Sequence, residues 1–184
     1  EMQRFTNYII HNNHTLTPVV GIEPSCLLTF GDEYKSLKNI INKEKIKNKF
    51  YLIEEFILEQ IKDGKKIAAN KFSNNVFVHG HCHQKSQDRL KGLLELLKIL
   101  NIKHKTIETS CCGMAGSFGY DVKNYDISKK MAYLTLIPTI KNECKNEDII
   151  IANGTSCRHQ ISDFSNQKPQ HVSQLLFKIF ETVN

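Results

Sequence analysis

No stretch of this chain approaches the roughly 20 consecutive apolar residues that a membrane-spanning helix needs. Its mixed, polar opening also lacks the basic-then-apolar pattern of a secretory leader. We therefore expect a cytoplasmic protein, with a peripheral place on the inner face of the membrane left open. The net charge of +6 comes from scattered lysines. Their densest run, residues 43–49, has no aromatic side chain interleaved with it. That run reads as a solvated face and not as a nucleic-acid platform. No Ser-His-Asp set and no paired carboxylates can be assigned, which removes the commonest hydrolytic machinery. Gly113, Gly116 and Gly119 do not follow the dinucleotide spacing Gly-x-Gly-x-x-Gly. A first residue of Glu1 and not Met leads us to expect a piece of a longer protein, or a processed chain.

What is present is cysteine. The chain has 184 residues, enough to bury a real core, and six cysteines: Cys26, Cys82, Cys111, Cys112, Cys144 and Cys157. An even count would suit disulfides in a secreted protein, but the opening residues carry no secretory pattern, so we expect free thiols. In a reducing compartment, clustered cysteines bind metal or do redox work.

The pattern alternates strands and helices. Short β-branched runs at 18–22, 75–79, 103–108 and 148–152 predict strands. Helical spacing predicts helices over 51–62, 86–100 and 126–142, another after Cys26 to about residue 37, and a last one over about 172–181. Cys26, Cys82, Cys111-Cys112 and Cys157 each follow a predicted strand. In a parallel sheet those loops share one edge, where ligands bind. Cys144 falls in a helix-to-strand turn, at the opposite edge, and is left out of the site. The run ending in Ser25-Cys26 echoes the run ending in Ser156-Cys157. We therefore expect two related units. Residues 1–64 would be the tail of a first one and residues 65–184 a complete second one. The fold expected is α/β, with parallel sheets flanked by helices.

The vicinal pair Cys111-Cys112, followed by Gly113, points to the chemistry. Adjacent thiolates grip one tetrahedral ion awkwardly, because their sulfurs diverge. They suit a cluster, where each takes a different metal atom. The glycines let backbone approach a bulky inorganic group, and the N–H groups around Gly113 and Gly116 can donate to sulfide. Cys157 at a predicted helix start is well placed as a thiolate. His83 and His159 lie beside cysteines and are further candidates, and Cys26 is another. If residues 81–83 are extended, His81 and His83 face one side and Cys82 the other. His79 reads as strand surface. His171 precedes the last helix as a candidate cap.

Four phrases together resemble the cysteine-rich Cys-Cys-Gly domain family. They are Gly21-Ile22-Glu23-Pro24-Ser25-Cys26, His81-Cys82-His83-Gln84, Cys111-Cys112-Gly113-Met114-Ala115-Gly116-Ser117-Phe118-Gly119, and Gly154-Thr155-Ser156-Cys157-Arg158-His159-Gln160. The family includes a heterodisulfide reductase subunit, the glycolate oxidase iron–sulfur subunit, and the C-terminal region of FAD-linked D-2-hydroxyacid (D-lactate, glycolate or D-2-hydroxyglutarate) dehydrogenases, to which the likeness is greatest. The resemblance implies an electron-transfer module of an FAD- and iron–sulfur-dependent oxidoreductase. FAD would sit in the parent protein and not in this chain, which alone would lack catalytic activity. The implied partners are FAD-binding and ferredoxin-like domains or subunits. It also implies that Cys82, Cys111, Cys112 and Cys157 ligate an iron–sulfur cluster, a 4Fe–4S centre among the options. One departure stands out. Where the non-cubane members carry a further cysteine three positions after the last, this chain has Gln160. Cys26, His83 or His159 would have to stand in. Two other readings stay open: a zinc-binding structural or interaction domain, and a metal-free thiol–disulfide module on Cys111-Cys112.

Overall fold

The structure is a computed structural model, and it describes residues 17–31 and 50–180. The lysine run at 43–49, His11 and His14, and the predicted helix beyond residue 31 fall outside the described residues. The elements in chain order are β1 (Val19–Gly21), α1 (Pro24–Leu28), a 3-10 turn (Thr29–Gly31), β2 (Phe50–Leu52), α2 (Ile53–Lys62), β3 (Val76–His79), α3 (Cys82–Ser86) and α4 (Leu90–Ile99). They continue with β4 (His104–Thr106), a second 3-10 turn (Phe118–Tyr120), α5 (Tyr125–Leu134), α6 (Leu136–Glu143), β5 (Ile149–Ala152), α7 (Thr155–Ser165) and α8 (Val172–Phe180). Among the described residues all strand pairs are parallel, in a three-stranded sheet of order β4-β3-β5 and a two-stranded sheet β1-β2. The α/β class read from the sequence is the class observed. Among the described residues, no helix is long and apolar enough to cross a membrane.

Both faces of β3 are covered, as a central parallel strand requires. Alternation sends Val76 and Val78 to one face and Phe77 and His79 to the other. Val76, Val78 and Ile151 pack with Leu58 of α2, Leu93, Leu96 and Leu97 of α4, and Leu175 and Ile179 of α8. Phe77, Ile150 and Ala152 pack with Ala132 of α5, Ile137 and Ile140 of α6, Ile161 of α7, and the cysteines Cys112 and Cys157. Each fully buried Leu or Ile contributes about 1.5–3 kcal/mol. The apolar spacing Leu93, Leu96, Leu97 is the helical stripe that turns α4 onto the sheet. Because α2 contributes to this core, residues 53–62 are packed onto the larger sheet, while Phe50 and Leu52 of β2 pack with Leu27 and Leu28 in the smaller one.

Three predicted helices differ in their bounds. The helix over 51–62 gives its first two residues to β2, which pairs with the distant β1. Glu55 then caps α2 by accepting from the Leu52 N–H over 2.9 Å. Arg89 holds this junction, donating to Glu55 and to the Phe50 carbonyl. The helix over 86–100 is really α3 and α4, separated where Asp88 takes a left-handed conformation, φ +57°. The helix over 126–142 breaks at Thr135, φ −145°. Pro138 explains the break: it lacks an N–H, and its ring would clash with the carbonyl four residues back.

Candidate metal centre

Three loops leave the C-terminal edge of the β4-β3-β5 sheet, and each carries cysteine. β3 ends at His79, and Cys82 opens α3. β4 leads to Cys111 and Cys112. β5 leads through Asn153 and Gly154 into α7, whose third residue is Cys157. A cavity of about 280 Å³ lies between them, lined by Cys82, Cys111, Cys112 and Cys157 together with His81, His83 and Gly116 among others. Cys112 and Cys157 are buried, and Cys82 and Cys111 are half-buried. Gly113 lies beside the cavity, with φ +91°, and a Cβ there would lie 2.4 Å from the Ser128 carbonyl oxygen. Only glycine fits that turn.

The remaining candidates sit differently. Cys26 is exposed on α1, and its neighbour Ser25 is the residue that lines the cavity. His159 is exposed and pairs with the Tyr120 hydroxyl outside the cavity. His83 lines the cavity edge-on to His81, 5.3 Å between rings. Residues 82–83 are helical and not extended, so the expected alternation of His81 and His83 against Cys82 does not apply. The N-cap residue is His81, whose Nδ1 accepts from the His83 N–H. Cys144 ends α6 just before β5, at the sheet's other edge. Gln160 is buried and donates to the Ser128 carbonyl and hydroxyl, 3.1 and 3.0 Å.

The thiols differ in acidity. Hydrogen bonds from Cys112 and Cys82 hold the Cys111 thiol well below its ordinary range, and the Gly113 N–H adds to this at 3.3 Å. A hydrogen bond from Cys112 likewise holds Cys157 low, against the opposing effect of burial. Cys112 is pushed up by its contacts with Cys111 and Cys157, and Cys82 by its contact with Cys111. Cys111 and Cys157 are thus the more acidic thiols of the four, and Cys82 and Cys112 the less acidic. Thiolates are what a cationic metal needs.

Several residues with no motif to announce them build the surroundings. Lys85 reaches across from α3 to the Thr109 carbonyl at 2.6 Å and to the Ser110 carbonyl, tying the Cys111 loop to the Cys82 loop. Arg158 donates to the Ala152 and Asn153 carbonyls and braces the Cys157 loop. Glu54 is fully buried and accepts from Gln84 and Asn153, each at 2.8 Å. It stitches α2 to two cysteine loops. Burial raises its pKa to about 7. Glu23, from the smaller sheet, accepts from the N–H and hydroxyl of Thr155 at the start of α7. His171 caps α8 through Nδ1, and its Nε2 donates to the Ile22 carbonyl.

The clearest departure from expectation is His79. It is not strand surface. It is 1% exposed, at the end of the central strand, on the face that carries Cys112 and Cys157. Ligand atoms of His79, Cys112 and Cys157 lie within 4.8 Å of one another. The strand's period of two, with Phe77 inward, is the signal that would have found it.

Its relatives are dehydrogenases. The chain is 24% identical over 161 residues to one of the subunits of the anaerobic glycerol-3-phosphate dehydrogenase of Escherichia coli (strain K12), covering 86% of this chain and 39% of that one. It is 24% identical over 168 residues to the D-2-hydroxyglutarate dehydrogenase of the same strain, covering 89% of this chain and 16% of the relative. The D-2-hydroxyglutarate dehydrogenase of Haemophilus influenzae matches at 24% over 174 residues, with the same shares. The chain therefore spans well under half the length of these relatives. No family model and no solved structure matches it.

The donor set fits a metal. Four thiols from three loops surround one cavity, two of them with thiolate character, and soft thiolate donors select iron–sulfur centres and zinc.

Proposed function

We propose that this chain is the C-terminal electron-transfer module of an FAD- and iron–sulfur-dependent oxidoreductase that oxidises a D-2-hydroxyacid. Cys82, Cys111, Cys112 and Cys157 hold the centre, with the Gly113–Gly116 loop against it. The observation that carries this reading is convergence. Three parallel strands end in three cysteine loops around a single cavity, in a chain whose relatives are dehydrogenases.

An iron–sulfur centre supplies a one-electron carrier. The protein's part is to bind and tune it. The acidified Cys111 and Cys157 present anionic sulfur. Lys85 and the N-terminal end of α7 place positive potential beside the anionic centre. Burial of Cys112 and Cys157 lowers the local dielectric and keeps water away from one side.

FAD and substrate belong to other parts of the parent protein. We read residues 1–64 as the tail of one cysteine-rich unit, with its α2 packed against the second, and 65–184 as that second unit. FAD-binding and ferredoxin-like domains or subunits are the partners, in a cytoplasmic protein, with a peripheral place on the inner face of the membrane left open. The D-2-hydroxyglutarate relatives support the hydroxyacid. The glycerol-3-phosphate relative widens the class to secondary alcohols near an anionic group.

The test is an anaerobic reductive titration of iron-loaded protein, followed in the visible region. Reversible bleaching and recovery of the thiolate-to-iron absorbance supports electron transfer. Absorbance that reductant leaves unchanged contradicts it. The close, buried trio His79, Cys112 and Cys157 favours one second reading, a tetrahedral zinc site. Colourless protein that retains stoichiometric zinc through purification would decide for that.

A further inference from the structure

We propose that Nε2 of His79 is a direct ligand of the metal centre, which would then have mixed imidazole and thiolate donors. The proposal deepens the metal-centre reading and rests on it.

His79 ends β3, with Phe77 on the same face, so strand alternation aims its ring at the side that holds Cys112 and Cys157. The ring is buried, and its ligand atom lies within 4.8 Å of both sulfurs. Its two nitrogens have different fates. Nδ1 lies 3.2 Å from the Thr109 hydroxyl. Nε2 is buried and has no hydrogen bond of ordinary geometry; the group the His79 side chain approaches is the Cys157 sulfur, whose thiol it helps Cys112 to hold low. A buried polar atom without a partner costs free energy and calls for an explanation. Metal-bound histidine shows this same division: one nitrogen on the metal, the other N–H held by an oxygen acceptor that fixes tautomer and ring orientation. In the tautomer whose Nδ1–H donates to the Thr109 hydroxyl, Nε2 carries the free lone pair, with the Cys112 and Cys157 sulfurs within 4.8 Å of the ring's ligand nitrogen. Thr109 is then a positioning residue, two places before Cys111 on the neighbouring loop.

Of the other candidate donors, Gln160 and His159 are committed elsewhere, Nδ1 of His81 is occupied, and His83 lines the cavity with its ring edge-on to His81. Gln160 donates to Ser128. The Nδ1 of His81 accepts from the His83 backbone as an N-cap. His159 is exposed and paired with Tyr120. Imidazole is neutral where a thiolate is anionic. Replacing thiolate by imidazole raises the reduction potential of an iron–sulfur centre, as it does in two-histidine [2Fe–2S] centres. The site would thus accept electrons more readily than its cysteines alone allow.

The experiment uses the full chain labelled with ¹⁵N-histidine and loaded anaerobically with iron and sulfide. Pulsed electron paramagnetic resonance in the paramagnetic state should show one strongly coupled histidine nitrogen. The coupling should vanish in His79→Cys, with a fall in midpoint potential. An iron–sulfur centre that shows no histidine nitrogen coupling overturns the proposal. So does coupling that persists in His79→Cys. A parallel arm loads zinc alone and reads zinc X-ray absorption, which separates this inference from the iron–sulfur reading. If the protein takes no iron but holds zinc with one nitrogen that His79→Cys removes, the ligand assignment stands and the iron–sulfur reading fails. Zinc bound by sulfur only, or no binding of either metal, overturns the assignment. Thr109→Val preserves the ligand itself and should weaken zinc affinity about 10-fold. An unchanged affinity in that variant contradicts the positioning role.

Discussion

Asn153 donates to the buried carboxylate of Glu54 over 2.8 Å, joining the end of β5 to the first turn of α2. Gln84 donates to the same oxygen. One carboxylate thus holds the Cys82 and Cys157 loops to a helix that carries no cysteine.

This arrangement makes stability depend on pH. Burial raises the folded pKa of Glu54 from 4.5 to about 7. The native state therefore keeps a proton that the unfolded chain has lost. Stability is highest below the unfolded value, falls as pH rises toward about 7, and then levels off. The full fall corresponds to about 3 kcal/mol. Urea unfolding of metal-free protein at pH 5 and pH 8 should show it. Glu54→Gln should flatten the slope, and an unchanged slope in that variant would refute the assignment to Glu54.

A second prediction concerns Gly154. A Cβ there would lie 2.3 Å from Cδ2 of His81 and 3.2 Å from the Cys157 sulfur. Neither neighbour can yield without moving a cysteine loop. Gly154→Ala should cost about 1–3 kcal/mol and reduce metal content. Gly64→Ala is the control. Its φ is +88° with open space around it, so it should cost about 1–2 kcal/mol and leave metal content intact. Equal metal loss in both variants would point to global destabilisation instead.

The two sheet edges make a third prediction. Cys144 lies at the edge away from the other thiols, and burial pushes its thiol up to about 11, so it stays protonated. Cys144→Ser should leave bound metal unchanged. Cys112→Ser removes a thiol from the buried trio and should lower it sharply. Metal analysis of the two purified variants side by side decides the matter. Equal loss would break the one-edge arrangement.

Much of this was legible in the sequence. The β-branched runs ending at His79 and Ala152 mark the central strands, and the cysteines after them mark one edge of a parallel sheet. The break before Leu136 was also written there, in Pro138, but the long apolar periodicity on both sides masks it. β2 was harder. Phe50, Tyr51 and Leu52 continue the amphipathic pattern of α2, and only pairing with the distant β1 draws them into a strand. His79 was missed for a related reason. A polar residue at a strand end reads as solvent-facing until a second layer of helices covers that face. The sequence equally cannot say that α1 turns Ser25 toward the cavity and leaves Cys26 exposed, because that depends on the phase of a single helical turn.

The most direct measurement is iron, sulfide and zinc analysis of anaerobically purified protein, with its visible spectrum. The account predicts iron and sulfide in matching amounts and broad absorbance near ~400 nm, where thiolate-bound iron–sulfur centres absorb and d¹⁰ zinc does not. Colourless protein without iron, prepared with Cys82, Cys111, Cys112 and Cys157 reduced and intact, would contradict it.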